Sequence, residues 1–463
     1  MRGLTSTLVL VVVLAGLGGY IYFVDSKRPA PGVDGQTREK VFSLETDKVT
    51  EVRVTYLGDT SLLKKDAAGW KMVEPVQADA DPAEAASLAQ ALANLEMTRA
   101  VDDNPADLKE FGLDPPAISV EFKAEGNVSG SLKLGGMTAT AGDMYAQKGG
   151  EKRVFLVSSF QETNFNRTPF DLRDKKILKF ERDQADHLAL SRGGETLELT
   201  RDGTDWKVVK PAAARSDATV VEGLLTKLAT SNMSTLVEDG AKDLAQYGLD
   251  KPSLVVTVGA GSAKTVLEVG KTDGDKTYAR DQARPLVFTL DTTLQGDLNK
   301  GFDDYKRKDL FDFRSFSVDR IRAVLDAPGG PKAYDFEKVA PAKDTDPRVW
   351  RLTVAGAEPR DVDAAAMEDL IAKVSALKVE SFAKPGTKTG IEKPALVVSA
   401  SFDGGKFERV RFGQVGEEAF GARDGEAAGL VPRSAMEAAM LAIDTVVMPP
   451  KPTAAPDKAG EKP

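Results

Sequence analysis

The chain holds no cysteine and one histidine, His187, which excludes thiolate nucleophiles, disulfides, iron–sulfur clusters, Cys-ligated zinc and paired-histidine metal sites. Acid–base chemistry therefore falls to carboxylates, hydroxyls and amines. Residues 258–265, VGAGSAKT, resemble a phosphate-binding loop at a glance, but such a loop needs glycine directly before the lysine and six residues before it. Ala263 and Val258 stand there, so the stretch reads as a hairpin turn and no nucleotide is expected. Residues 273–276, DGDK, begin as a calcium loop does, yet no further ligand pair and no Glu at the twelfth position follow, so no metal and no other cofactor is expected.

His187 lies in ADHLALS, at a position that internal comparison matches with Glu51 and Arg320. A site that accepts three different polar side chains reads as a solvent-facing strand position rather than a catalytic base. Residues 172–178, LRDKKIL, and 305–311, YKRKDLF, are basic clusters suited either to lipid headgroups or an acidic partner, or to a connector laced with ion pairs. No acidic cluster stands out for hydrolytic work, and no catalytic residue is assigned.

The elements that carry these residues begin with residues 4–24, LTSTLVLVVVLAGLGGYIYFV, which hold no charge. Twenty-one residues at 1.5 Å each give roughly 30 Å, enough to cross a hydrocarbon core, and the run is longer than a secretory h-region and lacks a well-placed cleavage site. An uncleaved transmembrane anchor is expected over 1–24, with the bilayer as its partner through residues 4–24. Tyr20, Tyr22 and Phe23 supply interfacial aromatics, while Arg2 nearly balances Lys27 and Arg28, so charge alone does not set the orientation. A linker is expected over 25–44 and a disordered polar tail over 449–463.

At 463 residues and net charge -9, with the signs interspersed, the chain is too long for one core and has no basic field for nucleic acid. Between linker and tail it repeats itself. Its three tryptophans, Trp70, Trp206 and Trp350, sit in GWKMVEP, DWKVVKP and VWRLTVA, and the glycines Gly112, Gly248 and Gly390 follow after 42, 42 and 40 residues in EFGLDPP, QYGLDKP and KTGIEKP. About 22 residues later come KLGG, EVGK and RFGQ, then MYAQ, TYAR and FGAR. So long a period means tandem domains rather than a solenoid, with units at 45–180, 181–314 and a divergent third at 315–448 that carries extra residues before Trp350.

Within a unit, VTEVRVTY, SLLKKD and GWKMVEP alternate in polarity as a three-strand meander. A helix is predicted over 81–97, with Asp81 as N-cap, Pro82 at the first position and Leu88, Leu92 and Leu95 on one face. DLKEFGLDPP reads as a helix stop in which Gly112 turns left-handed and Pro115 blocks continuation, and AISVEFKA, SLKLGG, DMYAQKG and RVFLVS read as further strands before a short helix near 159–166. The fold class is thus α+β: a single N-terminal transmembrane helix followed by three tandem units with mostly antiparallel sheets. The tryptophans and glycines are read as core and cap anchors of the repeat, and Gly248 is expected to tolerate Asn better than Val.

The anchor, the W-K-x-x-x-P phrase, the [FY]-G-L-D-x-P stop and R-D-K-K-I-L closing a unit resemble the bacterial family known as domain of unknown function 4340. The resemblance runs from Val49 to about Val447, carried by Trp70, Pro75, Gly112, Leu113, Asp114, Arg173 and Asp174 in the first unit and by Trp206, Pro211, Gly248, Leu249 and Asp250 in the second. The third unit lacks the proline after its tryptophan and the closing basic phrase. It implies a single-pass protein of the bacterial inner membrane with a periplasmic ectodomain, similar in context to partners of gliding-motility-type ABC transport systems. The expectation is a non-enzymatic binding or scaffold protein with a membrane-protein partner such as an ABC transporter. The alternative is a carboxylate-dependent hydrolase of a cell-envelope polymer.

Overall fold

Alternation of apolar and polar residues dictates strands with one buried and one wet face, and the chain builds three sheets this way in the computed structural model, which describes residues 39–339 and 349–448. The first sheet has nine strands in the spatial order Ala78–Asp79, Gly69–Glu74, Asp59–Asp66, Val49–Tyr56, Ile118–Ala124, Val128–Met137, Asp143–Lys148, Val154–Ser158, Arg99–Asp102. Its neighbours all pair antiparallel. Two more nine-stranded sheets, built from 187–290 and 318–431, repeat that order strand for strand. The divergent third copy therefore keeps the whole topology. Part of its extra length falls at 340–348, outside the described residues.

A helix carries the chain across each sheet, from the edge that ends the first meander towards the opposite edge. These are Pro82–Ala93, Ala218–Thr230 and Ala364–Ser375, and an aspartate caps each one: Asp81, Asp217 and Asp363 accept backbone N–H groups of the first turn. Apolar residues recur every three or four positions on the buried side, as in Val221, Leu224, Leu225 and Leu228. The first helix stops at Ala93, short of the predicted Met97, because Glu96–Met97 pairs instead with Glu39–Lys40. That pairing also shortens the expected 25–44 linker: Val41 and Phe42 are already buried, and the Phe42 ring meets Phe122 edge-on at 5.0 Å.

The described residues fall into two compact units, one ending at Lys175 and one beginning at Lys176, and the second holds sheets two and three. The first break thus lies five residues before the expected 180, whereas the expected break after 314 lies inside the second unit. Among the described residues no helix is long and apolar enough to cross a membrane. The expected anchor at 4–24 and the tail at 449–463 lie outside the described residues.

Candidate functional site

Each residue singled out for chemistry has a place in the sheets. Residues 258–265 form the hairpin between Leu254–Ala260 and Ala263–Asp273, turning at Gly261 with φ 58°, and DGDK is the next hairpin, turning at Gly274. No group of acidic or histidine residues that could hold a metal occurs among the described residues. His187 opens the strand His187–Arg192, with Nε2 3.1 Å from Glu198 Oε1. Its matched positions are also held by cross-strand pairs: Glu51 with Lys64 at 3.3 Å, and Arg320 with Asp335 at 2.5 Å. The position holds a cross-strand polar pair on the wet face, and each copy fills it with a different side chain.

The repeat anchors divide into two kinds. Trp206 and Trp350 are 3% and 6% exposed, while Trp70 is half-buried against its core. Gly112, Gly248 and Gly390 are all left-handed, with φ of 65°, 68° and 69°. The stretch around Gly112 is a single 3-10 turn, Lys109–Phe111, rather than the end of the long helix. Beyond conformation, the turn glycine packs on the glycine phrase about 22 residues later. A Cβ on Gly112, Gly248 or Gly390 would lie 2.8 Å from Gly136 N, 2.9 Å from Lys271 N and 3.0 Å from Gln414 N respectively. Two backbones touch there, so Asn and Val at 248 share the cost of a Cβ against Lys271 N, while the left-handed φ adds a further penalty that falls more heavily on Val.

The densest charge cluster described sits where sheet two meets sheet three, and YKRKDLF contributes only Arg307 and Asp309 to it. Arg215, on the edge strand Ala214–Arg215, donates to Glu426 at 2.5 and 3.1 Å, to Asp312 at 2.7 Å and to the Asp309 carbonyl at 2.8 Å. Arg423 joins the other oxygen of Asp312 at 2.7 Å to Glu408 at 3.3 Å, and Arg307 meets Asp312 at 2.9 Å. Lys378 pairs with Asp309 at 3.0 Å. Each carboxylate in the cluster thus meets at least one cation.

Burial opposes the charge on Arg215, but the Glu426 hydrogen bond and the fields of Glu426 and Asp312 outweigh it and raise its pKa. Burial likewise works against ionisation of Asp309, yet the Lys378 hydrogen bond and charge hold it below the usual carboxylate range. Glu408 goes the other way: burial pushes it up, against the Asp312 N–H and the Arg423 charge. A raised carboxyl is what a general acid requires. Glu408, however, is only 3% exposed, and although it lines a cleft of about 850 Å³ with Asp312 and Arg423, one of its oxygens accepts the Asp312 N–H at 2.9 Å and the other meets Arg423 at 3.3 Å. The cluster works as a joint between two sheets.

Removing Arg215 tests this. Arg215→Met should lower the stability of the second unit by about 2 kcal/mol, below the ~3–5 kcal/mol of a fully buried pair because the side chain is part-exposed. Thermal unfolding of Arg215→Met, Glu426→Gln and the double variant measures it, and the double variant should lose clearly less than the two singles together. Additive losses would show that the two groups do not act as a pair.

A family described as a domain of unknown function, DUF4340, matches residues 70–212 and again 206–395. Each match begins at a tryptophan strand, so the family frame is offset from the sheets and takes the end of one with the start of the next. None of the curated proteins matches the chain.

Proposed function

The chain belongs to the DUF4340 family, and from that premise we propose that it is a membrane-tethered envelope protein whose tandem sheets bind a partner, an ABC-type transport assembly, without catalysing a reaction. The observation that carries this reading is the state of the carboxylates at the joint: each is held by arginine or lysine, so the richest acidic cluster of the second unit is spent on fixing two sheets together. A hydrolase of an envelope polymer needs two carboxyl groups free to face one bond across an open cleft. Repeated sheets instead offer several surfaces on one chain, and a tether confines them to the membrane, where weak contacts gain from high effective concentration.

In this proposal the uncharged run at 4–24 is the tether, and the protein sits in the bacterial inner membrane with its sheets on the periplasmic side. Crosslinking in intact cells should trap the full chain on another integral membrane protein, and deleting residues 4–24 should abolish that adduct even when the remainder is exported to the same compartment. An exported, untethered chain that still restores function, or one that degrades an envelope polymer alone, overturns the scaffold reading.

A further inference from the structure

The wet face of sheet three carries a groove. Its floor is the strand Leu396–Phe402, which turns the small residues Val397, Ser399 and Ser401 outward. One wall is Arg320 and Arg322 on Val318–Leu325; the other is Phe407 and Arg409 on Lys406–Val415. The registers set these residues in rows, Arg322 beside Ser399 beside Arg409, and Arg320 beside Ser401 beside Phe407. The groove encloses about 460 Å³.

Its charge is not neutralised from within. Arg320 holds Asp335 through two hydrogen bonds, and Arg409 and Arg411 share Asp424 at 2.6 and 3.4 Å. Arg322 is exposed and has no ion pair among the described residues. Three arginines therefore line the groove, two of them paired with Asp335 and Asp424, which leaves the charge of Arg322 unpaired. Phe407 stands at the end of the groove 61% exposed, an apolar ring that water covers poorly.

The fold does not require this arrangement. At the same positions sheet two has His187, Ala189, Thr257, Gly259, Val266 and Glu268, and sheet one mixes signs through Glu51, Arg53, Glu121 and Lys123, of which Glu51 pairs with Lys123 at 2.9 Å. The paired arginine walls are therefore particular to sheet three and are not a demand of the topology.

We propose that this groove binds an extended acidic segment of a partner protein, with carboxylates two residues apart on the arginine walls and an apolar side chain against Phe407. Residues two apart on a strand are ~6.7 Å apart, which is also the spacing of alternate side chains in an extended peptide, so Arg320 and Arg322 meet successive same-side carboxylates in register. The walls stand about 10 Å apart, two strand spacings, which is the room one extended chain needs. Arginine forks bind carboxylates by paired, charge-assisted hydrogen bonds. A uniform polyanion fits less well, because Asp335 and Asp424 border the groove and would repel charges that cannot skip a position.

This inference rests on the partner-binding reading and names the partner's chemistry. The full chain in detergent should bind a fluorescent peptide of four Glu-Val repeats ending in Phe, and should bind a peptide of the same composition with its glutamates in one block at least about tenfold more weakly. Arg322→Glu and Arg409→Glu should each weaken the alternating peptide about tenfold, the scale of one charged hydrogen bond, and Phe407→Ser should weaken it without changing the salt dependence. Equal binding of both peptides, tighter binding of polyphosphate or of anionic vesicles, or no binding at all overturns the proposal. In cells, a crosslinked adduct that survives the double charge reversal refutes the groove and leaves the scaffold standing; peptide binding without any adduct refutes the scaffold alone.

Discussion

Gly270→Ala should destabilise the second unit by about 3 kcal/mol, the upper end of what a single added methyl costs in a packed site. Gly270 lies in EVGK on the strand Ala263–Asp273, and a Cβ there would run into the Tyr247 carbonyl oxygen, with Gly248 C only 3.2 Å away. Both obstacles are backbone, so no rotamer change relieves them. The 3-10 turn Ala245–Tyr247 must move, and with it Leu249, which is 2% exposed, and Tyr247, whose hydroxyl donates to Glu238 at 2.7 Å. The control is Gly261→Ala: Gly261 has φ 58° but nothing within 4 Å of a built Cβ, so it carries only the left-handed penalty of ~1–2 kcal/mol. Denaturant unfolding of the two variants separates contact from conformation. If Gly270→Ala proves no worse than Gly261→Ala, the close approach of the two glycine phrases does not matter to the fold.

That pair of glycines marks how far the residues could be read. The 42-residue spacing from tryptophan to glycine, and the Leu-Asp that follows, gave the turn and its left-handed geometry, because both depend on local sequence. That the turn glycine exists to meet the next glycine phrase depends on distance across the sheet, and spacing along the chain does not report it. The meander strands, the Asp-capped helix and the third copy were legible for the same reason: period and caps are local. The joint was half-legible. YKRKDLF announced Arg307 and Asp309, but Glu408, on a strand about 100 residues further on, and Glu426, in the turn after Arg423, look like ordinary surface acids in the sequence. The arginine groove was not legible at all, since residues 322, 399 and 409 become neighbours only when three strands pair in one register.

Trp206→Ala should cost the second unit about 3–5 kcal/mol, the largest single loss expected in this chain. The ring is 3% exposed, so truncation opens a cavity on the wall between the strand Asp205–Lys210 and the helix Ala218–Thr230. The indole also has a polar task. Its Nε1–H donates to Glu222 Oε1 at 2.8 Å, and Arg201 reaches the same oxygen at 2.7 Å while its guanidinium lies 5.5 Å from the ring centroid. Helix and strand are therefore tied both by apolar area and through one carboxylate. Trp206→Phe separates the two contributions: it keeps much of the area, removes one donor and should cost only about 1–2 kcal/mol, because Glu222 still has Arg201. Glu222→Gln in the Phe background should add little, whereas in the native background it weakens both the indole and the guanidinium contact. Should Phe prove as damaging as Ala, the tryptophan acts mainly through its hydrogen bond and not as an apolar anchor. Trp350 then serves as the comparison within the same chain, since it is 6% exposed and has Lys338 5.8 Å from its ring, with no carboxylate partner for its indole among the described residues. Trp350→Phe should be milder than Trp206→Phe by the value of that one hydrogen bond, and the difference measures how much the Glu222 contact adds to the second unit beyond the burial that both copies share.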